Sequence, residues 1–235
     1  MSLEQRDLFI KNIFTTVAPY VDFLSSGFSF GFDHLWRREA ILRSGIRAGE
    51  RVLDVCSGTG ELAFLLSRHV GPQGSVTGSD FCEEMLDRAR QKKGEGHANL
   101  SFILSDTKRL PFRDNFFDAV TVSFGMRNIP DTALALKEID RVLKPGGKFV
   151  CLELTRPNYR WFRFLYEWYV FKVMPVIGKL VVKAAAPYLY LPRSINSFYP
   201  PGEFKDMIHG CGFENIRVDS MTFGIATLYT AVKSG

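Results

Sequence analysis

Val52-Leu53-Asp54-Val55-Cys56-Ser57-Gly58-Thr59-Gly60-Glu61-Leu62 is a short apolar run that passes through a two-glycine turn into a helical pattern. Glycine lets the backbone come close to a ligand, and the helix that follows aims its free N–H groups at the same place. Outward from this stretch, RVLDVC, ELAFLLSRHV, SVTGSD and EEMLDRARQK alternate strand with helix. LSFILSD, FFDAVTVSF and KFVCLEL supply three further strands, with the helix ALALKEIDRVL, ended by Pro145-Gly146-Gly147, between the last two. Such alternation predicts a Rossmann-like α/β fold with a parallel sheet covered on both faces. Asn215 to Thr222 and Gly224 to Lys233, joined by Phe223-Gly224, predict an antiparallel edge hairpin. The first fifty residues read as helical, broken by Pro19, Gly27 and Gly31, with a loop expected between the two glycines. The chain thus divides into a helical cover (1–50), a cofactor-binding core (51–155), a basic aromatic helical lid (156–210) and closing strands (211–235).

With 235 residues, 46% hydrophobic and 23% charged, the chain is long enough for one well-buried core. Its four cysteines form no C-x-x-C pair and its four histidines no cluster with them, so no metal site is expected and a reducing cytoplasm fits. The opening MSLEQRDLFIKNIF lacks the basic start and apolar run of a secretion signal. Charge is unevenly spread. Between Arg156 and Arg193 seven basic residues accompany one acid, a balance of +6, while the rest carries 23 basic and 24 acidic residues. The same stretch holds ten of the 32 aromatic residues, including Trp161 and Trp168.

Asp80 follows Gly60 by twenty residues and ends the second strand, where a carboxylate can accept hydrogen bonds from ribose hydroxyls. Asp106 follows the third strand in the same way, placed to accept from an adenine amine. Gly58-x-Gly60-x-x-Ala63 also satisfies the dinucleotide fingerprint, which keeps a nicotinamide oxidoreductase in view. Asp54 argues against it. A carboxylate two residues before the turn repels a pyrophosphate but favours a ligand bearing ammonium and sulfonium charges. Each acid has a plainer reading as a helix cap, Asp80 above all. Ser123 reads equally as a core hydroxyl or a ligand contact, and Cys56 as a small turn residue rather than a nucleophile.

Asp54-x-x-x-Gly58-Thr59-Gly60, Leu110-Pro111-Phe112-Arg113-Asp114-Asn115-Phe116-Phe117-Asp118, Ser123-Phe124-Gly125-Met126-Arg127-Asn128 and Arg141-Val142-Leu143-Lys144-Pro145-Gly146-Gly147 closely resemble the ubiquinone/menaquinone C-methyltransferases. The resemblance runs from Ser29-Phe30-Gly31 and Leu35-Trp36-Arg37-Arg38 to Gly210-Cys211-Gly212-Phe213 and Thr222-Phe223-Gly224-Ile225. It implies a class I methyltransferase with a mostly parallel seven-stranded sheet and S-adenosylmethionine as cofactor. Thr59 and Asp80 would contact that cofactor, Asp106 and Thr107 its adenine side, and Ser123 would lie near its methionine portion. Cys56 and Ser57 stand where the family usually has Ala or Gly, Asp33-His34 stands where a His-Arg pair is common, and Leu228 to Ala231 differ from its usual ending.

The resemblance further implies a polyprenylated quinol acceptor, a demethylmenaquinol methylated to menaquinol; a benzoquinol of ubiquinone biosynthesis, or another small molecule, stays open. Carbon methylation needs an electron-rich ring carbon held in line with the sulfonium methyl in a dry pocket. Arg127 is the candidate for stabilising the developing phenolate, directly or through a water acting as base, with Asn128 orienting the same oxygen. Arg127 otherwise reads as a surface ion-pair residue.

WFRFLYEWYVFKVMPVIGKLVV is too interrupted to span a bilayer and too apolar for an ordinary surface helix. Such a segment suits peripheral contact with the inner face of a membrane, where basic residues meet anionic lipid and aromatics enter the interface. A lid packed on the core or a homodimer surface fits as well. No nucleic-acid module is recognisable, so no nucleic-acid partner is expected. A quinol methyltransferase, a nicotinamide oxidoreductase and a catalytically silent binding protein on the same fold are the three functions in contention.

Overall fold

A computed structural model describes residues 3–157, 159–176 and 186–235. Three helices come first, α1 (Leu3–Val17), α2 (Val21–Phe28) and α3 (Phe32–Arg43). The alternating core follows with β1 (Arg51–Val55), α4 (Glu61–Val70), β2 (Ser75–Asp80), α5 (Glu83–Lys92), β3 (Leu100–Leu104), β4 (Phe117–Ser123), α6 (Thr132–Val142) and β5 (Leu143–Leu154). Beyond it lie α7 (Arg160–Trp168), running into a wide π-type turn (Tyr169–Val173), then α8 (Ala186–Ser197), α9 (Pro201–Gly210), β6 (Phe213–Met221) and β7 (Ala226–Lys233).

The seven strands form one sheet in the order β3-β2-β1-β4-β5-β7-β6. The first five are parallel, β7 runs antiparallel to β5, and β6 antiparallel to β7. Central strands covered on both faces need continuous apolar runs, and Val52 to Val55 are all buried. Strand order reverses between β1 and β4, so the ends of those strands open the crevice where such sheets bind ligands. The glycine turn lies at that crevice.

Phe117, Phe149, Phe204, Phe213 and Tyr229 are fully buried in the main core cluster. Phe204 belongs to α9, which groups that helix with the core. Two boundaries differ from expectation. Helix α2 continues through Gly27, and the break falls at Ser29–Gly31, where Phe30 and Gly31 take left-handed backbone (φ +52° and +78°). Pro145-Gly146-Gly147 does not end α6, because the chain enters β5 at Leu143 and passes through those residues as strand.

The cover is attached at two places. Trp36 and Ala40 of α3 pack on Val150, Leu152 and Leu228, while Val17 and Ala18 pack on Cys82 and Met85. Trp36 Nε1 donates to Thr222 Oγ1 at 2.9 Å, tying α3 to the β6–β7 connection. Of the basic residues in the aromatic segment, Lys179 and Lys183 lie outside the described residues.

Candidate active site

The turn after β1 is left-handed at Cys56, Gly58 and Gly60 (φ +52°, +54° and +85°), and Gly60 opens α4. A Cβ on Gly60 would come within 2.9 Å of the Phe102 ring, so that glycine is also needed for close packing on β3. Asp80 closes the turn from behind: Gly58 N–H donates to Oδ2 at 2.8 Å and Cys82 N–H to Oδ1 at 3.0 Å. One carboxylate thus braces the glycine turn and the start of α5 together. Burial pushes Asp80 up to about 6, with the Cys82 and Gly58 amides opposing.

Asp54 is still more enclosed. Its Oδ1 accepts from Thr121 Oγ1 at 2.6 Å, and burial pushes the carboxyl up to about 7. Asp54 Oδ2, Ser57 Oγ and Ser79 Oγ are buried without a hydrogen-bond partner among the described residues. Unmet polar atoms of this kind are costly unless a ligand completes them. The set fits a nucleoside carrying hydroxyls and positive charge.

Thr59 turns elsewhere. Its hydroxyl donates to Asp22 of α2, and Lys92 bridges Asp22 and Glu61 at 2.9 and 2.7 Å, which laces the helical cover to the glycine turn. Ser123 ends β4 half-buried and lines neither of the cavities described next.

Two cavities meet beside the crevice. The first, of about 140 Å³, is lined by Cys56, Asp106, Thr107 and Gly125. Thr107 Oγ1 lies 3.6 Å from Cys56 Sγ, and burial raises that thiol far above its ordinary value, so Cys56 is no nucleophile. Asp106 is exposed and accepts from Lys108 N–H at 2.9 Å. The second cavity, of about 200 Å³, is lined by residues of α1 to α3, α7 with the turn after it, α8 and the turn Met126–Asn128. Its walls are mainly apolar, including Val17, Leu24, Phe28, Met174 and Ile195. Phe14, Phe124 and Asn128 line both cavities, so these three form the partition.

Phe124 holds left-handed backbone (φ +59°), which is strained for a bulky side chain and frequent at functional sites. Its carbonyl accepts from Arg127 Nη1 at 2.5 Å and Asn128 Nδ2 at 3.3 Å. Arg127 is not on the surface: its side chain is 8% exposed and paired at 2.5 Å with Glu153, which is fully buried. Asn128 Oδ1 accepts from the Tyr190 hydroxyl of α8 at 2.9 Å, joining that helix to the partition. Burial pushes the Tyr166 phenol up to about 12, keeping it protonated as a donor.

Asp106, Thr107, Arg127 and Asn128 are therefore brought to the cavities, while Asp54, Gly58, Gly60 and Asp80 build the turn behind them. Glu153, Tyr166 and Tyr190 were not singled out from the sequence, and Asp33 and Arg37 were noted only for the family pattern, with no role given to either. Glu153 had a signal, being the one acid inside the apolar run KFVCLEL; the Asp33–Arg37 spacing of four residues was another.

A seven-stranded sheet of this order with a glycine turn at its switch point and acids at the next strand ends defines a class I S-adenosylmethionine-dependent methyltransferase. The model of the ubiE/COQ5 methyltransferase family matches residues 1–233, and the chain belongs to that family. It is 41% identical over 224 residues to the demethylmenaquinone methyltransferase of Staphylococcus aureus strain JH9, covering 95% of this chain and 92% of the relative. Solved structures share the fold. A putative methyltransferase of Haloferax volcanii bound to the Trm112 activator superposes with TM-score 0.68 at 21% identity, over 94% of this chain and 98% of that one. A SAM-dependent methyltransferase of Aquifex aeolicus gives 0.63 at 20% identity, over 84% and 89%. A nicotinamide oxidoreductase is thereby excluded.

Proposed function

We propose that this enzyme methylates a ring carbon of a polyprenylated quinol, converting a demethylmenaquinol to its menaquinol. The carrying observation is the pair of cavities that share Phe14, Phe124 and Asn128 as lining, the second of them apolar but holding buried cationic donors. A flat apolar ring with two hydroxyls suits that lining, and the named relative supports the naphthoquinol over a benzoquinol.

The cofactor-binding set is Asp54, Gly58, Thr59, Gly60, Asp80, Asp106, Thr107 and Ser123. Asp80 accepts from ribose hydroxyls through lone pairs not used by Gly58 and Cys82, Asp54 Oδ2 faces positive charge, and Asp106 with Thr107 takes the adenine side. S-adenosylmethionine, when bound, supplies an electrophilic methyl on a sulfonium. Asn128 and Phe124 hold the acceptor ring against the partition, and the apolar walls exclude water. Arg127 stabilises the phenolate oxygen that makes the neighbouring ring carbon nucleophilic; Glu153 fixes its guanidinium so that no reorganisation is needed as charge develops. A water held by Arg127 or Asn128 takes the ring proton.

The experiment is methyl transfer to short-chain demethylmenaquinol and to a matching benzoquinol, followed by mass spectrometry. Methylation of the naphthoquinol is expected, and Arg127→Ala should lower its kcat by about 10²-fold or more while leaving cofactor Kd within a few-fold. Methylation of the benzoquinol alone, or full turnover by Arg127→Ala, would overturn the substrate or the role of Arg127 respectively.

Peripheral docking on an anionic membrane belongs to the same reading. Among the described residues no helix is long and apolar enough to cross a membrane. Helix α7 leaves Trp161, Phe164, Leu165 and Trp168 exposed within the basic segment 156–193. A prenyl tail that stays in lipid requires such an approach.

A further inference from the structure

Two guanidiniums line the acceptor cavity, and the chemistry above uses only Arg127. The other is Arg37 of α3, whose Nη1 donates to Asp33 Oδ2 at 2.6 Å; side-chain exposure is 9% for Arg37 and 6% for Asp33. Asp33 Oδ1 accepts from Ser29 Oγ at 2.7 Å. Burial pushes the Asp33 carboxyl up, but the Ser29 and Arg37 hydrogen bonds outweigh it and hold the group below its ordinary value, so Asp33 is an anion.

The two arginines are built alike. Each is tied at Nη1 to a buried carboxylate, and each has a buried Nε–H with no partner among the described residues. They flank the same residue: Arg37 Cζ stands 5.1 Å from the centre of the Phe124 ring, while Arg127 Nη1 binds the Phe124 carbonyl. Asp33, Arg37 and Arg127 all line the one cavity. An ion pair buried against apolar walls is a net cost to folding unless its remaining donors are used, and space-filling would be met as well by apolar side chains. A hydroquinol has two oxygens on opposite edges of its ring. One lies next to the carbon to be methylated; the other lies across from it.

We infer that the Asp33–Arg37 pair binds the second acceptor oxygen, opposite the one that Arg127 faces, with Asp33 as the positioning residue and the Arg37 Nε–H as donor. The inference rests on the quinol reading above. It makes the cavity selective for rings oxygenated at both ends, because a ring lacking the second oxygen leaves the Arg37 donor buried and unmet.

The test compares a short-chain demethylmenaquinol with an analogue whose second hydroxyl is replaced by hydrogen, using KM for the quinol and competitive inhibition for the analogue. Wild type is expected to favour the quinol by about ten- to a hundredfold, the range of one hydrogen bond to a charged group. Asp33→Leu/Arg37→Met, which removes both charges together, should bring the two ligands within about twofold of each other while calorimetry shows cofactor affinity within a few-fold of wild type. Arg37→Lys keeps the charge but has no Nε–H, and should lose most of the preference too. Undiminished preference in Arg37→Lys or in the double variant, or equal weakening of both ligands, overturns the inference. No turnover of the quinol by wild type would instead remove the reading beneath it.

Discussion

Asp54 and Asp80 are carboxyls that burial holds up to about 7 and about 6, against an ordinary 3.8. A carboxyl raised on folding favours the folded state when protonated, so for these two groups the ligand-free protein gains stability as pH falls from about 7 toward 4. A cofactor bearing hydroxyl donors and positive charge binds the ionised forms. Its affinity should therefore rise from pH 5.5 to 7, with protons released on binding, as calorimetry in buffers of different ionisation enthalpy would show. A flat affinity over that range would mean that neither group faces the cofactor. Asp80→Ala should weaken the cofactor by about 1.5–3 kcal/mol for each charged hydrogen bond lost, and should also lower Tm because Gly58 and Cys82 N–H lose their acceptor. Unchanged affinity with lowered Tm would leave Asp80 as a brace alone.

At the scale of elements, α7 makes the docking surface testable. Trp161 and Trp168 stand seven residues apart, share one face of the helix and are 63% and 58% exposed, more than a helix packed on a core would leave. Trp161→Ser/Trp168→Ser should lose most recovery in flotation with anionic vesicles, and high salt should weaken wild-type recovery because each basic residue near the surface adds about 1 kcal/mol. Equal recovery on neutral vesicles would sink the electrostatic part of the idea. What the sequence made legible follows the same division. The glycine turn, the strand-end acids and the edge hairpin were readable because each is a local signal a few residues long. The lining of the second cavity was not, because it joins α1 to α3, the turn at Arg127, α7 and α8, segments far apart in the chain. The buried pairing of Arg127 was not legible either, since its partner Glu153 lies 26 residues on. The Thr59–Asp22 hydrogen bond was hidden as well, since nothing local foretells Asp22 reaching across from the cover.

At the scale of the molecule, the main core cluster runs from α9 through the sheet to Cys56 and Ile129 at the first cavity. Phe204 packs edge-on to Tyr229, with ring centres 4.9 Å apart, beneath the antiparallel half of the sheet and away from both cavities. Phe204→Ala should cost about 3–5 kcal/mol, a fall of about 10 °C in Tm for a chain of this length, with cofactor affinity unchanged below the transition. A fall of less than about 2 °C would show that α9 is not part of the core. The strand order also has a bearing on how the polypeptide is made. β7 follows β6 in the chain yet sits inside it, between β5 and β6. On the ribosome, β6 therefore emerges with no neighbour to pair with, and β5 keeps an open edge until residues up to 233 have cleared the exit tunnel. The parallel half can assemble progressively, but closure of the sheet is a single late event, during which two unpaired strand edges are exposed together and need protection from association with other nascent chains.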